Sequence, residues 1–248
     1  MIKIENIKKT FGDKEVLKGI SGTFEQGKTN LIIGTSGTGK SVLLKSMVGL
    51  VHPDEGQVLY NDRDFINGGR TVQTEIRREM GMLFQGSALF DSMTVLQNVI
   101  FPLDMLSNMK PKEKINRAEF CLERVGLENV GHLKPSEISG GMAKRVGIAR
   151  AIVLNPRYLF CDEPNSGLDP LTAIKIDQLI SEITHEFDIT TIVVTHDMNS
   201  VMGIGEHIMY LNAGKKLWEG NDKNILDTTT PELQEFIFSS ALVKALKS

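Results

Sequence analysis

Apolar and polar residues alternate at the start of the chain. Ile2 and Ile4, and later Val16-Leu17, are set off by turn formers at Gly12-Asp13 and Gly19 to Gly22, a pattern that predicts antiparallel strands. Leu31-Ile32-Ile33 is a brief apolar run suited to a buried strand. From Gly39 to Gly49 the period lengthens, with Val42, Leu43, Met47 and Leu50 at helical spacing. Val58-Leu59-Tyr60 and Met82-Leu83-Phe84 return to the strand pattern.

From about Ala88 to Asn155 the texture is helical. Pro111 starts one helix, which carries Ile115, Ala118, Leu122 and Val125 on one face until Gly126 ends it. A second follows Gly140-Gly141 and stops before Pro156. Then come a strand over Tyr158 to Cys161, a helix over Leu171 to Phe187 and a strand over Thr191 to Val194. Short apolar strands separated by amphipathic helices predict a parallel sheet covered on both faces, with the helical block inserted into it. The tail from Pro231 to Ser248 carries Leu233, Phe236, Ile237 and Ala241 at helical spacing.

Composition narrows the function. The 248 residues are 41% hydrophobic and 24% charged, globular values that exclude a disordered chain. A net charge of −3 gives no global case for nucleic acid, so any such contact would be local. Cys121 and Cys161 are too few for a disulfide framework or a zinc site and are expected to be plain buried thiols. Met1 to Lys9 lacks the apolar core of a secretion signal, and no stretch approaches the ~20 apolar residues of a membrane span. The expectation is a cytoplasmic protein that reaches a membrane only through a partner.

Gly34-Thr35-Ser36-Gly37-Thr38-Gly39-Lys40-Ser41 matches the phosphate-binding loop, after a strand and before a helix. Its glycines let successive N–H groups face a phosphate chain, and the helix start adds a positive dipole end. Lys40 is expected to hold the β- and γ-phosphates, and Ser41 to ligate Mg²⁺. Tyr158 to Cys161 is an apolar run that leads into Asp162-Glu163. Asp162 at a strand end can reach the Mg²⁺ shell, while Glu163, one residue on, can polarise water. His196 follows the strand Thr191 to Val194 at the same sheet edge, where an imidazole can touch the γ-phosphate. Ser139-Gly140-Gly141 opens a helix and makes a second anion-binding start. One chain hardly needs two such starts for one triphosphate. Two copies paired head to tail would use both.

In their order these residues resemble the ATP-binding-cassette (ABC) ATPase subunits, and the likeness covers nearly the whole chain. The resemblance implies an α/β phosphate-loop fold with a mostly parallel core sheet, an N-terminal antiparallel β subdomain and an inserted helical subdomain. Residues 1–87 and 156–230 would form the core with its β subdomain, 88–155 the helical part and 231–248 a helical tail. It further implies that Phe11 stacks on adenine and that Gln85 is a glutamine serving both the metal and hydrolysis. Ser166-Gly167-Leu168-Asp169 would be the loop between sites, and His196 a switch. The implied state is an ATP- and Mg²⁺-binding homodimer that drives integral-membrane permease subunits.

Ile138 replaces the usual leucine and Met142 the usual glutamine of the Ser139-Gly140-Gly141 motif. Met142 with Ala143-Lys144-Arg145 is similar to the ATPases of Mla-type phospholipid transporters, as is the stretch after Gln85. That likeness implies envelope-lipid cargo, an MCE-type lipid-binding partner and a place at the cytoplasmic face of the inner membrane. Phe84, Leu89, Phe90, Met93, Met105 and Met109 suit either an adaptable permease groove or subdomain core. The tail can pack on its own domain or reach a second copy, and the Mla-type likeness favours the second copy. Rival readings are a transporter ATPase for another cargo, a soluble single-cassette ATPase of iron–sulfur assembly, and a small-molecule phosphate-loop kinase.

Overall fold

The computed structural model describes residues 1–238. β1 (Ile2–Phe11) and β2 (Lys14–Phe24) form an antiparallel hairpin around Gly12-Asp13. Gly19 is the extra residue of a bulge, since Ile7 pairs with Ile20 and Lys8 with Lys18. The turn expected over Gly19 to Gly22 is therefore a bulged stretch of β2, where the strand twists without reversing. β3 (Thr29–Ile33) leads through the glycine loop into α1 (Lys40–Met47). β4 (Glu55–Tyr60), the two-residue β5 (Arg63–Asp64), α2 (Gly69–Arg78) and β6 (Met80–Leu83) follow.

The helical block contains α3 (Val95–Leu106), α4 (Pro111–Arg124), a 3₁₀ turn at Pro135–Glu137, and α5 (Gly140–Ile152). Thr94 and Gln97 close a reciprocal cap at the start of α3, and Pro111 opens α4. The chain returns through β7 (Tyr158–Asp162), α6 (Pro170–Glu186), β8 (Thr190–Thr195) and α7 (Met198–Ile204). It continues with β9 (His207–Asn212), β10 (Lys215–Gly220), a 3₁₀ turn at Ile225–Asp227, and α8 (Pro231–Phe238).

The strands make two sheets. The smaller has the order β2-β1-β4-β5 and is antiparallel, while the larger runs β10-β9-β3-β8-β7-β6. In the larger sheet every pairing from β9 to β6 is parallel, and only β10 is antiparallel. Successive side chains of a strand point to opposite faces, so the central strands feed two cores. Leu31, Ile33, Leu159, Cys161 and Val193 join the helical block with α6 and α7. Ile32, Tyr158, Phe160, Ile192 and Val194 pack against α1 and the small sheet. Burial on both faces explains why these strands read as continuous apolar runs.

Several local expectations change. α1 ends at Met47 because Gly49 takes φ +76° and the Leu50 N–H turns back to the Lys45 carbonyl at 2.9 Å. Leu50 is thereby carried out to 59% exposure. The buried stripe of α4 starts at Ala118, and Ile115 is exposed. Phe84 lies beyond the end of β6. Cys121 and Cys161 are free and buried, and burial raises both thiols, Cys121 to about 11. Leu233, Phe236 and Ile237 of α8 are buried in their own domain's core, with the Tyr210 hydroxyl donating to the Glu232 carbonyl. The described start of the tail thus packs at home, and Ala241 lies outside the described residues.

Candidate active site

Parallel pairing aligns the carboxyl ends of β3, β8, β7 and β6. Ile33 pairs with Thr195, Asp162 with Val194, and Leu83 with Cys161. The residues that follow each strand, Gly34, His196, Glu163 and Gln85, therefore emerge at one edge, where open α/β sheets bind their ligands.

The glycine loop needs its glycines. A Cβ on Gly34 would stand 2.2 Å from the Leu211 carbonyl oxygen, and one on Gly39 would stand 2.9 Å from Leu17 Cδ2. Gly39 is the cap residue of α1 at φ +104° and offers no side-chain cap, so the first helical N–H groups face the loop. Thr38 ties the loop across itself by donating to the Thr35 carbonyl at 2.9 Å. Thr35, Ser36 and Gly37 form its exposed outer rim. Lys40 is buried and donates to the carbonyls of Gly34 and Thr35 at 2.8 and 2.9 Å. Burial lowers its pKa, while the nearby charges of Glu163 and Asp162 oppose that fall.

Ser41 Oγ donates to Asp162 Oδ1 at 2.9 Å. A hydroxyl beside a carboxylate is the hard oxygen donor set that Mg²⁺ takes in phosphate-loop sites, so these residues fit that ion. Glu163 holds a left-handed φ of +45°, rare for a residue with a Cβ, and its N–H donates to the Val194 carbonyl at 2.9 Å. Its two carboxylate oxygens are shared. Oε1 lies 3.1 Å from His196 Nδ1, and Oε2 accepts from Gln85 Nε2 at 3.2 Å. Gln85 Nε2 also reaches Ser166 Oγ at 3.3 Å. A cleft of about 450 Å³ opens beside this cluster, lined by Glu163, Ser166, Gly167, His196 and Phe236 among others.

Two expected site residues stand apart. Ser139 caps α5 by accepting from the Met142 N–H at 3.2 Å, and among the described residues no hydrogen bond links it to the glycine loop. Phe11 lies at the end of β1, 49% exposed, with Lys9 Nζ 5.4 Å from its ring centroid.

The sequence reading missed a clamp on the Gln85 loop. Lys144, buried in α5, donates to the Gln85 carbonyl. Arg150 donates to the Ser87 and Ala88 carbonyls at 2.6 and 2.7 Å. Ser87 and Ala88 both take positive φ, +59° and +46°, so the two cations hold a strained turn. Burial lowers the pKa of each. The available signal was a lysine among Val146, Gly147, Ile148 and Ala149 on a helix buried nearly all round.

A glycine loop with its lysine and serine, a carboxylate on that serine, and an acid bonded to histidine define a nucleoside triphosphatase of the phosphate-loop class. Residues 17–166, more than half of the chain, match the family model described as ABC transporter, and the chain belongs to that family. It is 36% identical over 236 residues to the probable ribonucleotide transport ATP-binding protein mkl of Mycobacterium leprae, covering 95% of this chain and 68% of that protein. Identity to the methionine import ATP-binding protein MetN of Clostridioides difficile is 37% over 243 residues, covering 98% and 75%. Identity to the intermembrane phospholipid transport system ATP-binding protein MlaF of Haemophilus influenzae is 34% over 238 residues, covering 96% and 90%. The dimeric post-hydrolysis structure of the ATP-binding cassette MJ0796, bound to ADP and Pi, superposes with a TM-score of 0.81 at 35% identity, covering 90% of this chain and 99% of that one.

The chain is thus an ATP-hydrolysing subunit of an ABC transporter that binds ATP with Mg²⁺. ABC ATPase cassettes dimerise and work with membrane permease subunits. Among the described residues no helix is long and apolar enough to cross a membrane.

Proposed function

We propose that this subunit energises a permease that moves phospholipid or a related envelope lipid, as a homodimer at the cytoplasmic face of the cell membrane beside an MCE-type lipid-binding protein. One feature supports that cargo over the ribonucleotide and methionine named for other relatives. Met142 stands in the serine-glycine-glycine motif where most cassettes carry glutamine.

In this reading Phe11 stacks on adenine, while the N–H groups of Gly34 to Ser41 and the Lys40 ammonium hold the phosphates. Ser41, Asp162 and Gln85 would hold Mg²⁺, whose charge when bound offsets that of the β- and γ-phosphates. Glu163 orients water and takes its proton, and His196 steadies the γ-phosphate and the Glu163 carboxylate. A second copy brings Ser139-Gly140-Gly141 over the γ-phosphate and closes the site.

The observation that carries the reading is the junction at Glu163, whose carboxylate is held by both Gln85 and His196. Gln85 is in turn clamped to α5 through Lys144. Closure over nucleotide is thereby tied to the segment from Phe84 to Met109, which includes α3. There Phe84, Phe90 and Met105 are exposed, as a permease groove requires, whereas Leu89 and Met109 pack on the core. A mild-detergent pull-down of this subunit tests the proposal. Recovery of a permease, a lipid-binding protein and phospholipid is expected; recovery of a permease with another solute-binding protein, or of soluble scaffold proteins alone, contradicts it.

A further inference from the structure

Behind the Glu163 cluster, three polar side chains from three separate elements meet out of solvent. Asn165, two residues beyond Glu163, donates from Nδ2 to Ser200 Oγ at 3.0 Å. Ser200, in the first turn of α7 and fully buried, stands four residues beyond His196. Asp177, in the middle of α6 and 5% exposed, faces both of them. Ser200 accepts from Asn165, and its hydroxyl proton is free to turn toward the Asp177 carboxyl, which lies near both. Asn165 Oδ1 and Asp177 Oδ1 are both buried without a hydrogen-bond partner.

This arrangement is costly for stability. The face of α6 that carries Asp177 otherwise buries Ala173, Ile176, Ile180 and Ile183, where an apolar residue would pack without desolvating a carboxyl. Burial raises Asp177 to about 6, the charge of Asp197 adds to the rise, and Ser200 and Asn165 act against it. Cys161 of β7 also faces it, as a thiol held neutral by its own burial. Buried polar groups left part-satisfied cluster where function requires them. Here the connected groups are the supports of the two arms of the hydrolytic cluster: the loop from Glu163 through Ser166, and the helix behind His196.

We infer that Asp177, acting through Ser200 and Asn165, is a positioning residue that fixes the loop after Glu163 to the helix behind His196, so that the two arms keep one geometry around the γ-phosphate. The inference rests on the hydrolytic reading of the site and is independent of cargo. A displaced arm costs chemistry more than binding, because Lys40 and the glycine loop lie on other elements.

The test uses the full chain with Mg-ATP and reads kcat, KM and Tm for Asp177→Ala, Ser200→Ala, Asp177→Asn and the double alanine variant. Each single alanine is expected to lower kcat about tenfold with KM within about twofold. The double variant should be no worse than either single, because both cut one path. Asp177→Asn, of equal shape and still hydrogen-bonding, should keep the native kcat. Alanine variants that lose Tm but keep kcat would overturn the inference, as would losses that multiply in the double variant or an Asp177→Asn as impaired as Asp177→Ala. If Asp177→Ala does not fold, Ser200→Ala decides alone, and an unchanged kcat there overturns it. Glu163→Gln serves as the control: native hydrolysis in that variant would reject the hydrolytic reading itself, a separate failure.

Discussion

α1 and α5 both begin in glycines beside a serine, yet they are finished differently. α1 starts at Gly39 without a side-chain cap, and its first residue is a buried lysine bonded to the loop's own carbonyls. α5 starts at Ser139, whose hydroxyl already accepts from the Met142 N–H, and Ser139 and Gly140 lie exposed. An uncapped start with a buried cation is a receptor that needs an anion to complete it. A serine-capped start in solvent is stable alone and adds its dipole, worth about 0.3–1 kcal/mol, when a phosphate is brought to it. In the proposed reading one helix holds the nucleotide and the other closes over it, a division of labour that needs two copies of the chain.

Breaking the chemistry while sparing both helix starts should have the largest effect. Glu163→Gln is expected to cut turnover by ~10²–10⁴, about 3–5 kcal/mol of barrier, with ATP binding retained in equilibrium titrations. Next comes Asp177→Asn, which separates stability from closure. Asp177 has a folded pKa of about 6 against an ordinary 3.8, so the native state holds its proton more tightly than the unfolded chain. Stability is therefore lost as pH rises from about 4 through 6, and the neutral asparagine escapes that loss. Thermal melts of the variant should show a gain of up to about 3 kcal/mol at pH 8 that fades by pH 4; an equal gain at both pH values would contradict the sign.

Removing the receptor's cation follows in size. Lys40→Ala should weaken ATP binding roughly ten- to a hundredfold, about 1.5–3 kcal/mol, in fluorescent-nucleotide titrations. The smallest effect belongs to the closing helix. Ser139→Ala should leave ATP affinity of the single chain unchanged and weaken ATP-driven pairing by about 1 kcal/mol, followed by light scattering. A loss of single-chain affinity in that variant would erase the distinction between the two starts.

The glycine loop and the Asp162-Glu163 pair were legible because each is one contiguous segment whose flanking pattern fixes its place at a strand end. The meeting of Gly34, Glu163 and His196 at one edge followed from parallel strands alone. What stayed hidden depends on contacts far apart in sequence. Lys144 meets the Gln85 carbonyl, and Asn165, Asp177 and Ser200 meet behind the site, only because α5, α6 and α7 pack as they do. Turn signals failed where context overrode them. Gly19 serves a bulge in place of a reversal, and α2 and β10 carry patterns too polar to stand out. Helical spacing gives the face of α1 but not its end: the pattern runs on to Leu50, whereas the helix stops at Met47.

Two copies of the chain are proposed to share each nucleotide. A structure of the Glu163→Gln chain solved with ATP and Mg²⁺ tests that sharing directly. The expected result is a twofold pair in which the γ-phosphate, held by Lys40 of one copy, lies within hydrogen-bonding distance of Ser139 from the other. ATP enclosed by a single chain, with its own Ser139 or none against the γ-phosphate, would contradict it.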